Sequence, residues 1–247
     1  MKVLITNDDG ILAPALPALI SFVQSFASEV VAVAPKVEQS GMSHAIDFTR
    51  PIEIKRVDVA PGARCYSMDS TPADCVRFAV LGLKEHFDLV ISGINRGYNL
   101  GKDLVYSGTA GAVFEAARLG IPGIAISTGF HDSAFALASL PSLLAYFKEN
   151  GLLEKHPLYN INMPEAAPKG VRITRQGGIY YTDEFKQTAP EIYEQVGEPA
   201  KQTDLDPEAD IIALSEGYIS ITPLSATRTD FAALERIKIK KSFQSKL

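Results

Sequence analysis

Short apolar runs alternate with longer amphipathic ones along the first two thirds of the chain. Lys2-Val3-Leu4-Ile5-Thr6 is apolar and β-branched, the pattern of a buried strand. Residues 12–26 are apolar at helical spacing, with Pro14 and Pro17 near the start, where backbone N–H groups have no intrahelical partner anyway. Residues 30–35 read as a second buried strand, 36–47 as a polar loop, and 52–59 and 64–68 as two further strands. Thr71-Pro72-Ala73-Asp74 opens a helix that runs to about Leu83, with Thr as cap and Pro at the first position. Residues 88–93 form a fully buried strand, followed by a Gly- and Asn-rich loop at 94–101. A helix at 109–119, a strand at 121–127, a helix at 133–150 stopped by Gly151, and a strand at 159–163 complete the series. This alternation predicts an α/β fold, a three-layer α/β/α Rossmann-like arrangement with a mainly parallel sheet.

The pattern changes after Pro164. Alternation over 171–196, with Tyr180, Tyr181 and Tyr193, predicts an antiparallel hairpin. A polar stretch at 201–208, a short helix or turn at 209–215, a strand at 217–222 and an amphipathic helix at 229–237 follow. The expected organisation is a core at 1–164 carrying the chemistry, with a hairpin and C-terminal oligomerisation arm at 165–247 packed on it. A hairpin extending beyond a compact sheet commonly packs on a partner subunit, so a homodimer or homotetramer is expected.

Composition narrows the class. A chain of 247 residues, 46% apolar and 21% charged, suits one large globular α/β domain or one with an appendage. The net charge of −5 argues against a nucleic-acid duplex as partner, and the one basic run, 238–241, reads as a solvated tail. Cys65 and Cys75 are too few for a secreted disulfide framework and lack metal-site spacing. The chain starts on a core strand, which predicts no signal peptide, and no apolar run approaches the roughly 20 residues that span a bilayer. A soluble, cytoplasmic protein without membrane contact is expected.

The candidate chemistry starts at Asn7-Asp8-Asp9-Gly10, directly after the first strand. Asn, Asp and Gly dominate ordinary turns. Two adjacent carboxylates at the end of a buried strand, however, repel each other and are costly to desolvate, and a hard divalent cation between them removes both penalties. Three polar loops, around Asn7–Gly10, Glu38–His44 and Asn95–Gly101, follow buried strands whose ends converge in a doubly wound sheet. They offer the carboxylates of Asp8 and Asp9, a hydroxyl of Ser40 or Ser43, and an amide of Asn95 or Asn99. That oxygen-rich set fits magnesium, manganese or calcium better than zinc. Ser107-Gly108-Thr109-Ala110-Gly111 opens a helix and can be either a plain cap or an anion cradle. Asp74 reads as a capping carboxylate, with a catalytic role as the alternative, and His44 as a structural residue, a base or a phosphate donor. Gly-x-Gly-x-x-Gly after the first strand, a P-loop and a Gly-x-Ser-x-Gly elbow are all missing.

Several stretches together resemble the SurE family of nucleotidases: LITNDDG at the N-terminus, QSGMSHAI at 39–46, STPADCV at 70–76, the long run from Ile91 to Ala116, and GYISITPL at 217–224. The resemblance implies a metal-dependent phosphomonoesterase that hydrolyses nucleoside 5′- and 3′-monophosphates. It implies Asp8, Asp9, Ser40 and Asn95 as ligands of one divalent cation, magnesium or manganese. Asn99, Ser107, Gly108 and Thr109 would line the phosphate site. Asp9 is the preferred catalytic residue, orienting or deprotonating a water, with direct carboxylate attack as the alternative. The rival class is a non-catalytic metal- or nucleotide-binding module using the same strand ends. Two departures, Lys36-Val37-Glu38 and Tyr98, are expected at the pocket mouth and bear on substrate preference.

Overall fold

Val3 and Ile5 are wholly buried against one layer of helices and Leu4 against the other, as alternation requires in the middle of a sheet covered on both faces. The computed structural model describes residues 1–203 and 205–237; the basic run 238–241 and Asp204 lie outside the described residues. The strands are β1 (Lys2–Thr6), β2 (Glu29–Pro35), β3 (Ile54–Val57), β4 (Arg64–Met68), β5 (Leu89–Arg96), β6 (Gly123–Thr128), β7 (Leu158–Asn162), β8 (Val171–Ile173), β9 (Tyr181–Ala189), β10 (Ile192–Pro199) and β11 (Ile219–Pro223). The helices are α1 (Leu16–Gln24), α2 (Pro72–Arg77), α3 (Gly108–Arg118), α4 (Ala134–Glu149), α5 (Leu152–Lys155), α6 (Asp210–Ser215) and α7 (Phe231–Ile237).

Nine strands form one sheet in the order β3-β4-β2-β1-β5-β6-β7-β11-β8. The run from β4 through β7 is parallel; only β3 with β4 and β11 with β7 pair antiparallel. Helices α1, α4 and α5 cover the face of Val3 and Ile5, and α2 and α3 cover the opposite face. The three-layer α/β expectation holds.

Element boundaries differ from the sequence reading where local chemistry intervenes. Helix α1 starts at Leu16 rather than near residue 12, because Pro14 and Pro17 supply no N–H and Pro17 fits only the first turn. Helix α2 ends at Arg77 and continues as a wider π-turn over Phe78–Gly82. The hairpin is narrower than the expected 171–196: it is β9 with β10, whereas β8 pairs parallel with β11. Both β8 and β11 lie beyond residue 164 yet sit in the main sheet, so the sheet crosses the boundary expected there. Ile219 and Ile221 of β11 are buried in the same apolar cluster as Val3 and Ile5.

A truncation of the wholly buried Ile221 therefore reaches the sheet itself. Ile221→Ala should cost about 3 kcal/mol and lower Tm by roughly 10 °C in a single calorimetric transition. A split transition, with one part holding its original Tm, would show that the C-terminal segment unfolds by itself.

Candidate active site

Parallel strands bring the loops after β1, β2, β5 and β6 to one edge. The chain winds from β1 toward β2 and β4 on one side and from β5 toward β6 and β7 on the other, which opens a crevice between β1 and β5. The first loop is closed by Asn7: its Nδ2 donates to the Gly10 carbonyl at 2.9 Å, and the Gly10 N–H donates to its Oδ1 at 3.0 Å. Gly10 has φ +96°, a conformation open to glycine, and Ile11 N–H then donates to Pro35 O at 2.7 Å. This turn ends strand alternation at Thr6 and frees Asp8 and Asp9 from opposite faces.

Asp8 is 3% exposed and faces the N-terminus of α3. Thr109 Oγ1 donates to Asp8 Oδ1 at 2.5 Å and Thr109 N–H donates to Oδ2 at 3.1 Å. Burial, aided by the neighbouring Asp9 charge, still pushes the Asp8 carboxyl up to about 6 despite those donors. Asp9 is half-buried, and its Oδ2 accepts from Arg96 N–H at 3.0 Å. Burial raises its pKa, the Glu38 charge adds to the rise, and Arg96 opposes it. Gly108 packs on Asp8: a Cβ there would stand 3.0 Å from Asp8 Cβ and 3.1 Å from Gln39 O. Ser107 is the cap of α3, its Oγ accepting from Ala110 N–H at 3.0 Å, so the cap is not Thr109.

The loop at 36–47 is tethered at both ends. Gln39 N–H donates to Asp8 O at 2.7 Å, which ties the residue before Ser40 to the Asp8 backbone; the exposed Ser40 donates its Oγ to Glu38 Oε1 at 2.7 Å. Ser43 Oγ and N–H donate to Val105 O and Tyr106 O. His44 Nε2 lies 2.8 Å from Glu115 Oε2, a contact with α3 rather than with Asp8 or Asp9. Asp74 does not cap its helix: its Oδ2 accepts from Ser70 Oγ and Asp47 N–H, and Thr71 is the cap. Asn95 Nδ2 donates to Gly97 O at 2.7 Å at the end of β5. Asn99 Nδ2 donates to Ser127 Oγ at 2.8 Å and approaches Thr109 Oγ1 at 3.4 Å, completing a line from Asn99 through Thr109 to Asp8.

Asp8, Asn99, Gly108 and Thr109 are thus in direct contact or one residue apart, Ser107 adjoins them as cap, and Gln39 links Ser40 to Asp8. Of the two expected departures, Glu38 lines a cleft beside Asp9, but Tyr98 turns away and packs with Leu100, Ile211 and Leu214. Sequence reasoning missed Arg96, Glu115 and the 128–133 loop. A single acid among the small residues of α3 was the available signal for Glu115. Among the described residues no three His, Cys, Asp or Glu side chains converge. A cation here would be held by two carboxylates and neutral oxygens, and a buried carboxylate beside a half-buried one, both with raised pKa values, is the donor chemistry a hard cation satisfies.

The family model for the survival protein SurE matches residues 3–183. A 5′-nucleotidase SurE from Desulforudis audaxviator is 40% identical over 251 residues, covering 96% of each chain. One from Pelotomaculum thermopropionicum is 41% identical, covering 96% of this chain and 94% of its own. The crystal structure of the SurE protein from Aquifex aeolicus superposes with a TM-score of 0.77 at 32% identity, covering 96% of this chain and 98% of that one.

Glu115 gives this region a pH signature. Burial pushes its carboxyl up, but hydrogen bonds from His44, Arg118 and Arg77 prevail and hold it at about 2. The depressed pKa contributes stability above the unfolded value near 4.5, and that contribution disappears as pH falls toward 2. Glu115→Gln should cost about 2 kcal/mol at neutral pH, less than a fully buried pair because the arginines are partly exposed. Urea unfolding of the variant should show a flatter pH dependence between about 4.5 and 2. Parallel curves for both proteins would remove Glu115 from this role.

Proposed function

The chain belongs to the SurE family, and from that membership we propose that it is an enzyme, a 5′/3′-nucleotidase. It hydrolyses nucleoside 5′- and 3′-monophosphates to nucleoside and phosphate. The observation that carries the reading is the Asp8–Asp9 pair, two carboxylates with raised pKa values held together at the β1/β5 crevice. A non-catalytic anion-binding module would gain nothing from two negative charges beside its ligand.

Asp8, Asp9, Ser40 and Asn95 would hold one divalent cation, magnesium or manganese. Bound there, the cation supplies positive charge for the phosphoryl oxygens and acidifies water. Asp8 is sealed by Thr109 and Gly108, so it fixes charge and position. Asp9 borders the open cleft and has a raised pKa, which suits it to orient a water and accept its proton. Asn99, Ser107, Gly108 and Thr109 form the phosphate side, with Thr109 acting through Asp8 because both its donors point there.

The same proposal includes a homodimer or homotetramer. The hairpin exposes Phe185, Ile192 and Tyr193, and α7 exposes Phe231 and Ile237, apolar surface suited to a second copy. The proposed location is cytoplasmic, supported by two buried cysteines that are both free thiols. No helix among the described residues is long and apolar enough to cross a membrane.

The test is release of phosphate from AMP with and without EDTA, followed by manganese. Activity should vanish with EDTA and return with the metal; EDTA-resistant turnover or none at all overturns the reading. Asp8→Asn should abolish turnover, raise Tm in EDTA by relieving the repulsion, and lose the Tm increase that manganese gives the parent protein. Manganese stabilising the variant as much as the parent would remove Asp8 from the ligand set.

A further inference from the structure

A monoester's leaving group must lie beside the phosphoryl group, and the Asp8 side offers it no room. Asp8 is 3% exposed, with Gly108 packed on it and Thr109 bonded to both its oxygens. On the Asp9 side a cleft of about 390 Å³ opens, in the size range of small-molecule sites. Residues 12–15 after β1 line one side, residues 128–133 after β6 line the other, and Ile94 and Arg96 of β5 lie between them.

Three exposed side chains face this cleft. Phe130 and Leu12 face it from the two walls although both are large, apolar and exposed, at 57% and 88%. Arg96 reaches it with an exposed side chain whose guanidinium makes no hydrogen bond or ion pair among the described residues. The wall carrying Phe130 is built rather than loose. Glu165 Oε1 accepts from His131 N–H at 2.5 Å and Asp132 N–H at 3.1 Å, and Asp132 Oδ1 accepts from Ala134 N–H at 2.8 Å. The Phe130 ring itself rests on Gly97, where a Cβ would come within 2.8 Å of Cζ. Gly97 N–H in turn donates to Thr128 O at 2.8 Å.

We propose that this cleft is the nucleoside subsite: the base stacks on Phe130 opposite Leu12, and Arg96 donates to sugar or base oxygens. The inference rests on the nucleotidase reading and assigns the part of the substrate that carries no phosphate. A fixed aromatic face gives base-tolerant stacking, because every base has a π-face, and a planar guanidinium with its donors open to the cleft can donate to carbonyl and hydroxyl oxygens alike. Phe130 and Arg96 are therefore specificity residues for nucleoside over simple alkyl phosphates.

The measurement is the ratio of kcat/KM for AMP to that for glycerol 2-phosphate, which has no ring. In Phe130→Leu the ratio should fall about tenfold, the size of one lost base–aromatic stack, and chiefly through KM for AMP. Leu12→Ala, at an exposed position that cannot threaten folding, should lower the ratio by a smaller factor. An unchanged ratio, or an equal loss on both substrates, overturns the subsite. Calorimetric titration with adenosine decides independently of turnover: the parent protein should bind it, and Phe130→Leu about tenfold more weakly. Absence of adenosine binding to the parent also overturns the subsite. Absence of all monoester hydrolysis would instead overturn the nucleotidase reading, leaving the adenosine titration to judge the cleft.

Discussion

Two like charges held side by side at the end of a buried strand are the constraint to which the rest of the crevice answers. A carboxylate removed from water at Asp8 is unfavourable by itself, and Asp9 beside it adds repulsion. The neighbouring elements are arranged to tolerate the pair. Helix α3 points its N-terminus at Asp8, so that the dipole and the Thr109 N–H oppose the negative charge. The residue before Thr109 is glycine, where a Cβ would crowd Asp8 at 3.0 Å and Gln39 O at 3.1 Å. The end of β5 presents the Arg96 N–H to Asp9. These donors hold the geometry without cancelling the charge, which leaves both pKa values raised and the site receptive to a cation.

The loops that surround the pair are fixed from a distance by other buried acids. Glu115 gathers His44, Arg77 and Arg118 at the C-terminal end of the 36–47 loop, and Asp74 takes the Asp47 N–H at the same end. The segment after β5 is held in a similar way: Asn160 and Asn162 both donate to Asn99 O, and Asp210 accepts from Gly101 N–H at 2.8 Å. Apart from Glu115 with Arg118, three residues on, these contacts are made 27 to 109 residues away in sequence. Irregular backbone near the site is thus as well determined as the strands.

That separation explains what the sequence could and could not disclose. The central strands, the helix faces and the Asp8–Asp9 pair were legible because each is local: an apolar run, a 3.6-residue period, two adjacent acids after a strand. Ser107 and Thr109 were legible as a pair at a helix start but not in their division of labour, which depends on Asp8 arriving from 101 residues away. The Thr-Pro-Ala-Asp pattern is local and predicts a capping Asp74, whereas the carboxylate's actual partners include the Asp47 N–H across a long loop. The three residues of β8 carry no periodicity of their own, so the sequence pattern places them within the hairpin; only pairing with β11 makes them a separate strand. Arg96 had no local signal, since its role comes from standing between the loops of two other strands.

The C-terminal segment is joined to the site by more than sheet pairing. Lys102 N–H donates to Gly178 O, Gln176 Nε2 donates to Gly101 O, and Asp103 Oδ2 accepts from both Tyr180 and Tyr181 N–H. These bonds grip the 3₁₀ turn Gly101–Tyr106, the segment that delivers Ser107 to the start of α3. Tyr181 is also the first residue of β9. The root of the hairpin and the turn that positions α3 are therefore one hydrogen-bonded unit. Asp103 thus ties the root of the hairpin to the segment leading into the helix whose Thr109 holds Asp8.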